Sequence, residues 1–224
     1  MIDKRRNSMA EIMADCNDLK DGATVMLGGF GDTGVAVKLV DALRELSLSD
    51  LTIVSNGAGG GEYGLALLIK SGSVGKIICS FPRSSDSKIF EELYAAGKIE
   101  LETVPQGTLA ERIRAGGAGI PAFYTATAFG TPLADGKEIR VFNDRHYVME
   151  RSICADIALV HAATGDRWGN LTYRSTARNF NPVMATAAST TLVEVRKLVD
   201  IVPPEEVITP GIFVDRMIEV GDYI

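Results

Sequence analysis

The sequence is poor in the residues that build metal centres and disulfide frameworks: three cysteines and two histidines in 224 residues. Cys16, Cys79 and Cys154 stand far apart and form no C-x-x-C pair. An odd, scattered set suits a reducing compartment better than a cross-linked secreted domain. With only His146 and His161 to join them, a metal site lacks ligands at the usual spacings. There is no basic excess either. The net charge of −6 argues against a nucleic-acid partner held by its phosphates. No apolar run is long enough to span a bilayer, and MIDKRRNSMAEIMADC lacks the apolar centre of a secretory signal. The expected address is the cytoplasm, away from any membrane.

What is present is ordinary globular composition, 46% hydrophobic and 23% charged, arranged as short apolar runs alternating with amphipathic ones. Helical character over residues 8–18 precedes buried-strand patterns at 23–28, 51–55, 76–80 and 99–104. Helical stripes follow at 35–46, 61–72, 85–97 and 108–116, the third with Ser85 or Asp86 as N-cap and Gly97 as stop. Such alternation predicts right-handed crossovers and a parallel sheet covered on both faces. Beyond residue 118 the texture changes. EIRVF-ND-RHYVME reads as a hairpin turning at Asn143-Asp144, ICADIALVHA as a buried strand, 182–189 as a short helix and TTLVEV as a last strand. The expected fold is α/β: one domain over residues 1–224, an open, mostly parallel sheet with helices on both faces plus a small antiparallel annex.

GFGDTG, residues 29–34, has the G-x-G-x-x-G spacing of a dinucleotide-binding turn, between a strand and a helix. That reading needs a carboxylate at the end of the second strand to hold the ribose. The strand ends instead in Ser55-Asn56-Gly57, and Asp50 stands before it, at the wrong end. A second glycine cluster, GAGGG, follows the same strand. Two glycine-rich turns at the carboxyl ends of consecutive strands suit a ligand carrying a carboxylate, phosphate or oxyanion. A ligand-free tight turn is the plain alternative.

DGATVMLGGFGDTG resembles the first signature of the A (alpha) subunits of the family I CoA-transferases. The resemblance continues through VSNGAGG, VPQGTLAERIRAGGAGIPAFYT, GDRWGNLTYR and ARNFNP, covering residues 21–213 or so. The family pattern ends its first signature in G-x-P, whereas this chain has Gly34-Val35-Ala36, losing a proline that presets the start of a helix. The resemblance implies transfer of coenzyme A from an acyl-CoA to a free carboxylate. A glutamate attacks the thioester to give an acyl-glutamyl anhydride, and the returning thiolate makes a glutamyl-CoA thioester. The acceptor carboxylate then reverses the sequence. That glutamate belongs to a Ser-Glu-Asn-Gly motif of a separate B (beta) subunit. Here the comparable place reads Ser55-Asn56-Gly57, and an amide cannot be the nucleophile. The implied partner is therefore the CoA-transferase B (beta) subunit, with succinyl-CoA as donor and no metal or redox cofactor.

This half would supply donors to the oxyanion of the tetrahedral intermediates. Gln106 and Asn56 stand at strand ends, and their family counterparts face the substrate. The backbone N–H groups of Gly29, Phe30 and Gly31 are a third source. Capping of the next helix is the alternative for Gln106, and a plain Asn-Gly turn for Asn56. CSFPRSSDS and GDRWGNLTYR resemble the A subunits that act on 3-oxoadipate more than those that act on acetoacetate. A dicarboxylate acceptor needs a donor for its distal end, and Arg83 fits that need; a solvated loop residue or a pair with Asp86 is the alternative. Glu62 reads as a carboxylate favoured by a helix dipole. Ser85-x-x-Lys88 reads as a helix cap, Trp168 as packing or a contact between chains, and Arg174 and Arg178 as members of an ion-pair network. Two rivals stand beside this reading. A sugar-phosphate sensor domain would need a DNA-reading segment, for which some 20 residues before the first strand are too few. A sugar-phosphate isomerase would need its own general base.

Overall fold

The structure, a computed structural model, describes residues 3–14, 16 and 18–221. In chain order the regular elements are β1 (Arg5–Arg6), α1 (Met9–Met13), β2 (Thr24–Leu27), α2 (Val37–Glu45), β3 (Leu51–Val54), α3 (Gly64–Lys70), β4 (Val74–Cys79), α4 (Ile89–Ala95), β5 (Glu100–Thr103) and α5 (Gln106–Gly117). Then come β6 (Ala122–Thr125), β7 (Ile139–Phe142), β8 (Arg145–Arg151), β9 (Ala155–Asp166), β10 (Leu171–Thr172), α6 (Asn181–Ala185), β11 (Ala188–Val199) and β12 (Arg216–Glu219).

Eight strands run parallel in the order β1-β12-β11-β9-β2-β3-β4-β5, and β10 adds to β9 antiparallel. Alternation along each strand sends side chains to opposite faces. Val25, Leu27, Ile53 and Ile77 pack with Leu39, Leu43, Leu68 and Phe90 of α2, α3 and α4. Met26, Val54, Ile78 and Val160 pack with Leu109 and Ile113 of α5 and Met184 of α6. Both faces are thus covered, as the βαβ pattern requires. Strands β6, β8 and β7 form a separate antiparallel sheet. Its hairpin turns at Asn143 (φ 49°) and Asp144 (φ 57°), the paired positive φ of a two-residue type I′ turn. Arg112 of α5 ties this annex down, donating to the Arg151 carbonyl and to Glu102, both at 2.7 Å. It also lies 4.0 Å from Glu150, which Lys137 pairs at 2.6 Å.

The differences from the expected elements have local causes. The helix expected over 8–18 is Met9–Met13, and Asp15 and Asn17 lie outside the described residues. Helix α4 starts at Ile89 with Lys88 in the capping position, so neither Ser85 nor Asp86 caps it. Asp86 is engaged elsewhere, accepting from the Ser84 hydroxyl and the Gly61 N–H. Gly97 (φ 67°) does end the helix. The edge strand β1 and its neighbour β12 are additions to the expected set, because RR and RMIE offer too little apolar alternation. Strand β6 is another, for the same reason: all four of its residues are half-buried.

Candidate active site

The carboxyl ends of β2, β3, β4 and β5 lie side by side in the parallel order and open into one cavity of about 710 Å³. That falls in the roughly 300–1,000 Å³ range of small-molecule sites, at the sheet edge where α/β folds bind ligands. The structure brings Gly29, Phe30, Gly31, Asn56, Arg83 and Gln106 together around it. Glu62 stays outside: its side chain is 81% exposed, before the start of α3, with Lys70 4.0 Å away.

The first glycine turn is a small hairpin. Phe30 and Thr33 exchange two backbone hydrogen bonds of 3.1 Å, with Gly31 (φ 56°) at the first central position. Gly34 (φ 70°) is required on two counts, since a Cβ there would also meet the Ala177 carbonyl at 2.5 Å. Loop geometry alone therefore accounts for the G-x-G-x-x-G spacing. It also removes two of the expected anion donors. The Gly29 N–H is spent on Asn179 Oδ1 (3.1 Å) and the Phe30 N–H on the Thr33 carbonyl. Of these three, Gly31 alone keeps its N–H without an acceptor among the described residues, and Gly59 and Gly60 of the second turn do likewise. The two turns are strapped together by the Tyr63 hydroxyl, which donates to Asp32; that bond, with burial, pushes the phenol up to about 12.

At the centre, Asn56 is buried at the end of β3. Its Oδ1 accepts from Gln106 Nε2 (2.7 Å) and shares the single Ser80 hydroxyl proton (3.0 Å) with the Asn56 carbonyl (2.9 Å), which also accepts from the Ser80 and Phe81 N–H groups. With its oxygen filled by two donors, the amide turns Nδ2 outward as a donor, and Nδ2 has no acceptor among the described residues. Gln106 is the first residue of α5 and its side chain caps nothing; one amide N–H orients Asn56 and the other remains. Ser80 is a site residue that sequence reasoning misses, though its place at the carboxyl end of the 76–80 strand pattern, one residue past β4, is the available signal.

Arg83 is exposed at the rim and has no ion-pair partner within 4.0 Å among the described residues, Asp86 included. The carboxylates lining the cavity are Asp32 and Asp86. The first holds Tyr63; hydrogen bonds from Ser84 and Gly61 lower the second below its ordinary range. Arg174 and Arg178 form no ion pair within 4.0 Å among the described residues, so the expected network is not built. Trp168 sits in the turn after β9 under the Arg167 guanidinium, 4.2 Å from its ring centre. His146 stacks on Phe129 at 4.4 Å. His161 lies within β9 beside Glu194 of β11 and is not among the residues lining the cavity.

Residues 7–220 match the sequence profile of the coenzyme A transferase family. The chain belongs to that family. It is 54% identical to the A (alpha) chain of 3-oxoadipate CoA-transferase from Pseudomonas putida, over 99% of this chain and 95% of that protein. It is 50% identical to the corresponding chain of succinyl-CoA:3-ketoacid coenzyme A transferase from Xanthomonas campestris pv. campestris, over 88% and 82%. The crystal structure of glutaconate coenzyme A-transferase from Acidaminococcus fermentans superposes with a TM-score of 0.83 at 20% identity, covering 97% of this chain and 76% of that one. The last likeness establishes the fold of this transferase chain, an open parallel sheet with helices on both faces and an antiparallel annex. Among the described residues no helix is long and apolar enough to cross a membrane, and no three His, Cys, Asp or Glu cluster as metal ligands.

Proposed function

We propose that this chain is the non-nucleophilic half of a two-chain CoA-transferase. It moves coenzyme A from succinyl-CoA to 3-oxoadipate in the cytoplasm, without a metal or redox cofactor. The observation that carries the reading is the chemistry at the end of β3. The cavity centres on an amide, Asn56, held as a donor by Gln106 and Ser80. A site built this way stabilises an oxyanion but supplies no carboxylate nucleophile at that strand end. Both lining carboxylates are already engaged.

In this scheme a glutamate of the companion chain enters the mouth of the cavity and attacks the thioester carbonyl. Negative charge gathers on the carbonyl oxygen. Asn56 Nδ2, the second amide hydrogen of Gln106 and the Gly31 N–H are the preorganised donors for it. Removing one such donor in an enzyme site costs roughly 10²–10³-fold in rate. Collapse of the intermediate expels CoA thiolate. The thiolate then attacks the anhydride at the glutamyl carbonyl, freeing succinate and leaving a glutamyl-CoA thioester for the acceptor.

Acetoacetate is the second reading, favoured by the 50% identity to a 3-ketoacid transferase chain. Arg83 at the rim supports the dicarboxylate. The co-purified two-chain enzyme, given succinyl-CoA and a panel of 3-oxo acids, should prefer 3-oxoadipate in kcat/KM. Preference for acetoacetate would select the second reading, and no transfer to any 3-oxo acid would reject both.

A further inference from the structure

The glycine turn that carries Phe30 and Gly31 into the cavity is held by one side chain that is itself outside the cavity lining. Asn179 Oδ1 accepts the Gly29 N–H at 3.1 Å, and its Nδ2 donates to the Thr33 carbonyl at 2.9 Å. Both ends of the hairpin are therefore gripped by a single amide. The amide cannot be turned over. Its oxygen also accepts from the Phe180 N–H (2.7 Å) and from Asn181 Nδ2 (3.2 Å), and its nitrogen also donates to the Thr176 carbonyl (3.1 Å). Reversal would set donor against donor and acceptor against acceptor. Behind it, fully buried Asn181 continues the grip. Its two Nδ2 hydrogens are shared among the carbonyls of Gly34 (2.9 Å) and Ala177 (3.0 Å) and the Asn179 oxygen, and its Oδ1 takes the His161 N–H (2.9 Å) from the central strand β9.

Asn179 occupies this place in a backbone conformation that favours glycine, φ 22° and ψ −121°. Holding another residue there costs about 1–3 kcal/mol. Glycine would relieve that strain and lose only the side chain. We propose that Asn179 is a positioning residue for CoA transfer, its amide fixing the Gly29–Gly34 turn so that the Gly31 N–H and the Phe30 ring meet the substrate in one geometry. The proposal rests on the transfer function argued above. It follows from the sensitivity of catalysis to placement, where an error near 1 Å costs about 10²-fold.

The test uses Asn179→Gly and Asn179→Asp in the full chain, assembled with its companion. Asn179→Gly exchanges relieved strain for lost hydrogen bonds and should stay folded and assembled at the assay temperature, yet lose roughly tenfold or more in kcat, with KM for succinyl-CoA little changed. Asn179→Asp keeps the acceptor for Gly29 and loses the donor to Thr33, so its kcat should fall between the two. In the full chain without its companion, backbone amides of residues 29–34 should exchange with solvent faster in Asn179→Gly than in wild type. Unchanged kcat and exchange in Asn179→Gly would overturn the proposal. So would a loss of kcat that merely tracks a fall in the fraction of folded, assembled enzyme, which marks a merely structural residue. If the wild-type assembly transfers no CoA, the functional reading fails by itself. The exchange measurement then decides the clamp alone.

Discussion

Gln106 Nε2 donates to Asn56 Oδ1 across 2.7 Å, linking the start of α5 to the end of β3. The contact gives the two amides different tasks. Gln106 aims Asn56 with one amide hydrogen and keeps the other for the oxyanion, and Asn56 presents its nitrogen to the cavity. Asn56→Ala should therefore lower kcat by roughly 10²-fold or more with a smaller change in KM. Gln106→Ala should also lower kcat, and the double variant should fall well short of the product of the two losses, as expected for residues acting through one another. Independent, multiplying losses in steady-state kinetics would separate the two residues.

Arg83 distinguishes acceptors if it meets the distal carboxylate of 3-oxoadipate. Arg83→Ala should lose about 2 kcal/mol or more in kcat/KM for 3-oxoadipate and leave activity with acetoacetate nearly unchanged. Equal losses for both acceptors would assign Arg83 a structural role instead.

Glu194 and His161 give the fold a pH signature. Burial raises Glu194 from 4.5 to about 8 and lowers His161 from 6.5 to about 4. An unfolded chain ionises Glu194 from about pH 4.5 while the folded chain keeps its proton until about pH 8. Stability therefore falls as pH rises through that window. His161 acts in the opposite sense: the unfolded chain takes up its proton below 6.5 and the folded chain resists until about 4. Melting temperature should peak between these effects, on the acid side of neutrality. Glu194→Gln imitates the neutral acid, so its melting temperature should decline less between about pH 5.5 and about pH 8 than that of wild type. An unaltered slope would show that Glu194 ionises freely in the fold.

Arg112 holds the annex against the main sheet. Its side chain is 12% exposed and faces Glu102 and the buried Glu150. Arg112→Ala leaves Glu150 with Lys137 alone. It should destabilise the chain by about 3 kcal/mol in chemical unfolding, with amides of β6–β8 gaining exchange before those of β9. A loss below about 1 kcal/mol would mean the annex docks by packing.

Much of this is legible in the sequence because it is local. Strands β2 to β5 and helices α2 to α5 announce themselves in apolar periodicity, and the turns between them in glycine. The six residues at the strand ends do share one cavity, since parallel order places successive strand ends together. What stays hidden is long-range. Nothing near Gly29 in sequence says that Asn179 takes its N–H across 150 positions, removing it as a substrate donor. The missing proline at Ala36 leaves α2 without an N-terminal device, and Ala36 offers no side-chain cap. Glu194 supplies one from β11, accepting the N–H groups of Lys38 and Leu39. A lone glutamate inside the apolar TTLVEV pattern is the only trace of that contact. Edge strand β1 and its neighbour β12 stay hidden because charged residues make up all of the first and half of the second.

The central claim is that this chain stabilises the transition state while another chain supplies the nucleophile. Intact mass measured on both chains, after the two-chain enzyme is mixed with succinyl-CoA and quenched, tests it most directly. The account predicts a covalent CoA adduct on the companion and an unmodified mass for this chain. An adduct on this chain, or turnover by this chain alone, would contradict it.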